Sequence, residues 1–142
     1  MHKEIIIIIP HYNNPKGLCK SVASIKEEIK MDIVIIDDGS QQEINITKLR
    51  KDYKLGRIYY KKQQPNKGIA QALNVGIDFA RKNEYKYIAR LDAGDICYAN
   101  KYNKQYRYLE KHSDIKLLGT WVRVVDSKRA ELFSLKHPVG YK

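Results

Sequence analysis

The sequence predicts a single α/β unit built on a doubly wound, mostly parallel sheet. Three observations carry that expectation. Apolar, β-branched runs alternate along the chain with segments of helical periodicity. The strongest runs, His2–Ile9 with its unbroken Ile5–Ile9 and Asp32–Ile36 with Ile33–Ile36, suit strands covered by helices on both faces. The segments that leave the strands are short and rich in Asp, Asn and Gly, residues suited to tight β–α turns.

Taken in order, His2–Ile9 is the first strand. Asn14 can then cap a helix whose first position is Pro15, and Leu18, Val22, Ile25 and Ile29 form its apolar stripe. Asp32–Ile36 is the second strand, closed by Asp37-Asp38-Gly39-Ser40. Ile46, Leu49 and Tyr53 mark a short helix, and Arg57–Lys61 a third strand. Gln64-Pro65-Asn66-Lys67-Gly68 reads as a turn, followed by a helix turning Ile69, Ala72, Leu73, Gly76, Ile77 and Ala80 inward. Tyr85–Leu91 is the fourth strand and ends in Asp92-Ala93-Gly94-Asp95. A helix over Lys101–Lys111 packs Tyr102, Tyr106 and Leu109 on one side. Lys116–Val125 and Glu131–Lys136 are later strands, expected to pair near the sheet edge.

Composition bounds the function. The chain has 142 residues, 43% hydrophobic and 30% charged, which excludes fibrous, collagen-like and wholly disordered classes. Cys19 and Cys97 share no CxxC spacing, so neither a disulfide framework nor a four-cysteine zinc site is available, and a reducing, cytoplasmic setting is expected. The aliphatic run Ile5–Ile9 is too short to span a bilayer or form a signal-peptide core. The net charge is +11, and Lys48–Lys67 holds eight basic residues against the single acid Asp52. Such a surface attracts nucleic acid, anionic lipid headgroups or phosphorylated small molecules, and it is equally the solvated face of a lysine-rich chain.

Ligands of open parallel sheets bind outside the carboxyl ends of the strands, near the reversal of strand order. Here those ends carry Pro10-His11-Tyr12-Asn13-Asn14, Asp37-Asp38-Gly39-Ser40 and Asp92-Ala93-Gly94-Asp95. A P-loop, a GxGxxG fingerprint, HExxH and GxSxG are all absent from the sequence. His2, His11, His112 and His137 are scattered and read as surface or core residues. Carboxylates at a sheet mouth suit Mg²⁺ or Mn²⁺ holding a phosphorylated ligand, because the cation offsets their repulsion of a diphosphate. A receiver domain also gathers aspartates around Mg²⁺, but its acidic pair follows the first strand, where this chain has Pro10-His11-Tyr12.

These residues resemble the family 2 glycosyltransferases, enzymes of the GT-A fold that take a sugar from a nucleotide diphosphate. The matching elements run in order: Ile5–Pro10 with Tyr12-Asn13, Ile33–Ser40, Asn66-Lys67-Gly68 with Ala72 and Asn74, and Tyr87–Asp95. Gln105, Leu109, His112 and Gly119 fall where such proteins often carry the same residues. The resemblance implies a Rossmann-like three-layer sandwich with a mostly parallel central sheet. It implies a nucleotide-sugar site from Pro10, Tyr12, Asn13, Asp37, Asp38, Asn66, Lys67, Asp92 and Ala93, with Tyr12, Asp37 and Asp38 toward base and ribose. Lys67 would offset phosphate charge, and Asp92 would face the sugar–ribose side.

Two departures from the family pattern matter. The metal loop commonly reads Asp-x-Asp-Asp, and here Gly94 takes the third position, so Mg²⁺ or Mn²⁺ is expected on Asp92 and Asp95. The family's general base comes from an acceptor-binding half well past that loop, and the sequence ends about fifty residues after Asp92. The late acids Asp126 and Glu131 sit in no recognisable motif, so the catalytic base is expected outside this chain. The expectation is therefore one domain over residues 1–142, the donor-binding part of an inverting glycosyltransferase, cut before its acceptor half. Its partners would be a nucleotide-diphosphate sugar, a glycan or glycolipid acceptor of surface polysaccharide or lipopolysaccharide assembly, and a second chain supplying the acceptor site. It would lie in the cytoplasm at the inner face of an anionic membrane. The alternatives are a non-catalytic nucleotide-sugar-binding module and, less favoured, a basic nucleic-acid-binding domain.

Overall fold

A computed structural model describes residues 4–139. The chain forms two compact units, Met1–Lys104 and Gln105–Lys142. In the first, strands β1 (Ile5–His11), β2 (Asp32–Asp37), β3 (Ile58–Lys62) and β4 (Tyr87–Arg90) alternate with helices α1 (Pro15–Ser24), α2 (Ile46–Asp52) and α3 (Ile69–Lys82). All strand pairs are parallel, in the order β3-β2-β1-β4. The crossovers through α1 and α2 step one way from β1, and the crossover through α3 returns to its other side. With right-handed connections this puts α3 on the sheet face opposite α1 and α2.

Both faces of β1 and β2 are buried accordingly. Ile6, Ile8, Val34 and Ile36 form a core with Ala72, Ala80 and Tyr85. Ile5, Ile7, Ile9, Ile33 and Ile35, pointing the other way by strand alternation, are also buried. The α3 stripe is narrower than its sequence suggests: Ala72, Gly76 and Ala80 are buried, whereas Ile69 is 52% and Ile77 38% exposed. The helix lies too close to the sheet for larger residues on its contact line. A Cβ on Gly76 would stand 2.5 Å from Ile8 Cγ2.

Several boundaries also move. β1 continues through Pro10 and His11, and His2 and Lys3 lie outside the described residues. Ile8 turns its carbonyl toward β4, accepting from the Leu91 amide at 3.1 Å, so Pro10 presents its missing N–H on that same side. The β1–β4 pairing ends at Ile8 and Arg90, so the proline interrupts no ladder there. Helix α1 stops at Ser24, whose hydroxyl donates to the Ser21 carbonyl at 2.7 Å, and Ile29 lies past the helix with its amide donating to Asn103 Oδ1. β4 is shorter than predicted because Tyr85 leaves the strand to hydrogen-bond Asp32 through its hydroxyl.

Helix α4 (Lys101–Lys111) has its predicted bounds, and Tyr102 is buried. In the second unit, strands β5 (Val122–Val125) and β6 (Glu131–Leu135) pair antiparallel as a separate two-stranded sheet rather than joining the parallel one. The turn drives this pairing locally. Asp126 Oδ1 accepts from the amides of Lys128 at 2.8 Å and Ala130 at 2.9 Å, folding the two strands directly onto each other. The hairpin leaves Trp121, Leu132 and Phe133 more than half exposed. No helix among the described residues is long and apolar enough to cross a membrane.

Candidate functional site

Strand order reverses between β1 and β4, the place where open parallel sheets take their ligands at the carboxyl ends of the strands. Four loops meet along that edge, and hydrogen bonds between distant segments join them. Asn13, at φ 47°, gives its amide to Ser40 Oγ at 2.8 Å. Its side-chain oxygen receives the amides of Gln41 at 2.8 Å and Gln42 at 3.2 Å. Asn14 caps α1 by accepting from the Gly17 amide at 3.0 Å and reaches the loop after β4 by donating Nδ2 to the Ala93 carbonyl at 3.2 Å. The loops after β1, β2 and β4 thus form one connected rim.

The paired aspartates after β2 divide their roles. Asp37 is fully buried, taking the Ser40 amide at 2.8 Å and the Tyr60 hydroxyl at 2.6 Å. Burial pushes its carboxyl up, but hydrogen bonds from Ser40 and Tyr60, with His11 nearby, outweigh that and hold it below the ordinary carboxylate range. Asp38 is 4% exposed and accepts the Lys67 amide at 2.9 Å and the Gly68 amide at 2.7 Å. It therefore fixes the Asn66–Gly68 turn and the start of α3. Gly39 sits at φ 82°, and a Cβ there would meet the Asn66 amide nitrogen at 2.9 Å, so these two loops approach backbone to backbone.

Of the remaining predicted residues, Tyr12 is 51% exposed, and Asn66 and Lys67 also face solvent. Pro10 is buried in β1 beside Ile36. His11 is a core residue, 2% exposed, with neither ring nitrogen hydrogen-bonded. Its burial lowers its pKa despite the opposing charge of Asp37.

In the loop after β4, Gly94 at φ 112° turns the chain, and the Asp95 amide reaches the Asp92 carbonyl at 3.0 Å. Arg90 grips both oxygens of Asp92 at 2.7 Å. Desolvation, and then the charge of Asp92, raise the pKa of Asp95, so the two carboxylates share one electrostatic environment. No group of three or more metal-ligating side chains occurs among the described residues. Two electrostatically coupled carboxylates on one loop nevertheless fit Mg²⁺ or Mn²⁺ arriving with phosphate oxygens, since such ions take one or two protein carboxylates and complete their shell from the ligand.

Sequence reading missed three supports: Ser40, Tyr60 and, above all, Ser21. Ser21 is fully buried on α1, receives the Gly94 amide at 2.8 Å and donates to the Asp95 carbonyl at 2.7 Å. The available signal was a hydroxyl within the apolar stripe Leu18–Val22–Ile25, where a polar residue requires a buried partner. A separate groove of about 780 Å³ lies along α1 and α2, lined by Val22, Ile25, Leu49 and Tyr53 among others, and it includes none of the rim loops.

The sequence profile of the Glycosyl transferase family 2 matches residues 6–137. An uncharacterized glycosyltransferase of Methanocaldococcus jannaschii is 33% identical over 149 aligned positions, covering 100% of this chain and 49% of that protein. The bifunctional glycosyltransferase pgtA of Dictyostelium discoideum is 31% identical over 122 positions, covering 84% of this chain and 16% of its own length. The chain thus spans half or less of these curated relatives. Among solved structures, S. aureus TarS superposes with a TM-score of 0.64 at 17% identity, covering 78% of this chain and 20% of that one, which supports the α/β fold. With four parallel strands between helices and the family profile over nearly its whole length, the chain belongs to glycosyl transferase family 2.

Proposed function

We propose that this chain binds the donor of an inverting glycosyltransferase, a nucleotide-diphosphate sugar, at the β1–β4 rim. The observation that carries this reading is the joining of the post-β1 and post-β4 loops across the strand-order reversal by the Asn14–Ala93 hydrogen bond. The exposed Tyr12 ring offers the base a stacking surface, and Lys67 supplies positive charge to the phosphates. Asp37 and Asp38 act mainly by shaping the rim, because both carboxylates already receive protein donors. Asp92 and Asp95 would hold Mg²⁺ or Mn²⁺, which supplies charge neutralisation for a departing diphosphate.

The acceptor is a hydroxyl of a glycan or glycolipid in cell-surface polysaccharide or lipopolysaccharide synthesis. Its general base would come from outside residues 4–139; Asp126 accepts the hairpin-turn amides and Glu131 pairs with Arg123 at 3.2 Å. A further segment or a second chain would supply it. The charge of +11 suits peripheral attachment to an anionic, cytoplasmic membrane face.

Calorimetric titration with UDP-, GDP- and dTDP-sugars, with and without Mn²⁺, tests this reading. Saturable binding of one nucleotide class supports it, and no binding of any class refutes it. A second reading, a non-catalytic donor-binding module, draws on the Arg90 grip that occupies Asp92. Donor binding without hydrolysis or transfer, even with acceptor and partner chain supplied, would favour it.

A further inference from the structure

We infer that Ser21 is a positioning residue for the metal loop, and that helix α1 serves as the splint setting the spacing of Asp92 and Asp95. The inference rests on the donor-site reading above and adds a residue to which neither family pattern nor carboxylate chemistry points.

A four-residue loop containing a glycine has many conformations, and two carboxylates three residues apart chelate one ion in few of them. Within the loop itself, the Asp95 amide to Asp92 carbonyl bond defines the turn. Arg90 holds the Asp92 carboxylate from β4, and the further restraints on the loop backbone come from α1, more than seventy residues earlier in the chain. The Ser21 hydroxyl faces the loop backbone from beneath, accepting from Gly94 N at 2.8 Å and donating to Asp95 O at 2.7 Å, with Asp92 O a further 3.3 Å contact. About two turns earlier, at the N-cap, Asn14 Nδ2 holds Ala93 O, also lying 3.2 Å from the Cβ position of Gly94. One turn later Ser24 Oγ receives the Cys97 amide at 3.1 Å, anchoring the segment after the loop.

The Ser21 hydroxyl is fully buried and matched with both a donor and an acceptor. Replacing it by a methyl group leaves a buried amide and a buried carbonyl unpaired, and the loop must move to regain partners. Movement there changes the Asp92–Asp95 geometry directly. The base- and ribose-facing loops 12–13, 38–41 and 66–68 have their own hydrogen bonds and need not follow.

The test compares Ser21→Ala, Asn14→Ser and Ser24→Ala with wild type. Asn14→Ser keeps a capping oxygen for α1 but cannot reach Ala93. UDP, GDP and dTDP are titrated with and without Mn²⁺, and Gly94 amide exchange is followed by NMR in the metal-free protein. Ser21→Ala is expected to lower the Mn²⁺-dependent gain in nucleotide affinity about tenfold, to change metal-free affinity less than about twofold, and to abolish Gly94 protection. Asn14→Ser should shift the same gain in the same direction, and Ser24→Ala, whose bond to Cys97 lies beyond Asp95, should shift it less than Ser21→Ala does. Equal loss with and without metal in Ser21→Ala would reduce the residue to a general structural role and overturn the inference. A preserved metal gain in both Ser21→Ala and Asn14→Ser would overturn it as well. Wild-type nucleotide binding with no metal gain removes the metal loop and this inference together, whereas no nucleotide binding at all defeats the donor-site reading itself.

Discussion

The carboxylate of Asp38 faces two backbone amides of another loop, so replacing one oxygen by an amino group turns a donor toward a donor. Asp38→Asn should therefore destabilise the first unit by about 1–3 kcal/mol in urea unfolding and loosen the Asn66–Gly68 turn. Asp37 and His11 make the fold acid-sensitive in the same direction. The Asp37 pKa is depressed below its ordinary 3.8, so its contribution is present above that value and lost as pH falls through the folded value. The His11 pKa is depressed below 6.5, so the unfolded chain takes up that proton first and stability declines as pH falls below 6.5. Thermal melts across pH should show this decline, and His11→Gln should flatten it between about pH 7 and 5. In the loop after β4, Arg90→Gln frees Asp92 from a bidentate cation, and on the proposed metal role Mn²⁺ affinity measured by calorimetry should rise by about tenfold.

At the scale of elements, the contact line Ala72–Gly76–Ala80 explains how α3 reaches the sheet and so where its N-terminus places Lys67 and Gly68. Gly76→Val drives a branched side chain into Ile8 and should cost about 1–3 kcal/mol of stability, read as a lower urea midpoint. The parallel strands were legible because covering on both faces makes their sequences continuously apolar, and the Asn14–Pro15 cap was legible from local chemistry alone. Less legible was anything fixed by tertiary contact. Ile69 and Ile77 have the right periodicity for burial yet face solvent, because the close approach at Gly76 selects small residues. The pairing of β5 and β6 with each other follows from the Asp126 turn, a local contact that the expectation of pairing near the sheet edge did not include. At the site, residue types and loop positions could be read from the chain. That Asp38 binds a neighbouring loop, and that Ser21 holds the loop after β4, depends on contacts across 29 to 74 positions that no local pattern encodes.

For the whole molecule, the central claim is a division of labour within one sheet edge: buried carboxylates brace the rim, and exposed groups meet the donor. The charge of +11 is compatible with a diphosphate ligand and an anionic surface, and it distinguishes neither. The family profile places the chain in glycosyl transferase family 2, and the proposal sets its donor at the rim. The most direct measurement is a calorimetric titration of UDP-, GDP- and dTDP-sugars into the wild-type chain and Tyr12→Ala, each with and without Mn²⁺. The account predicts one nucleotide class bound by wild type, tightened by Mn²⁺, and weakened about tenfold when the stacking ring is removed. Binding of no nucleotide sugar, or equal binding by wild type and Tyr12→Ala, would contradict the assignment of the donor to the β1–β4 rim.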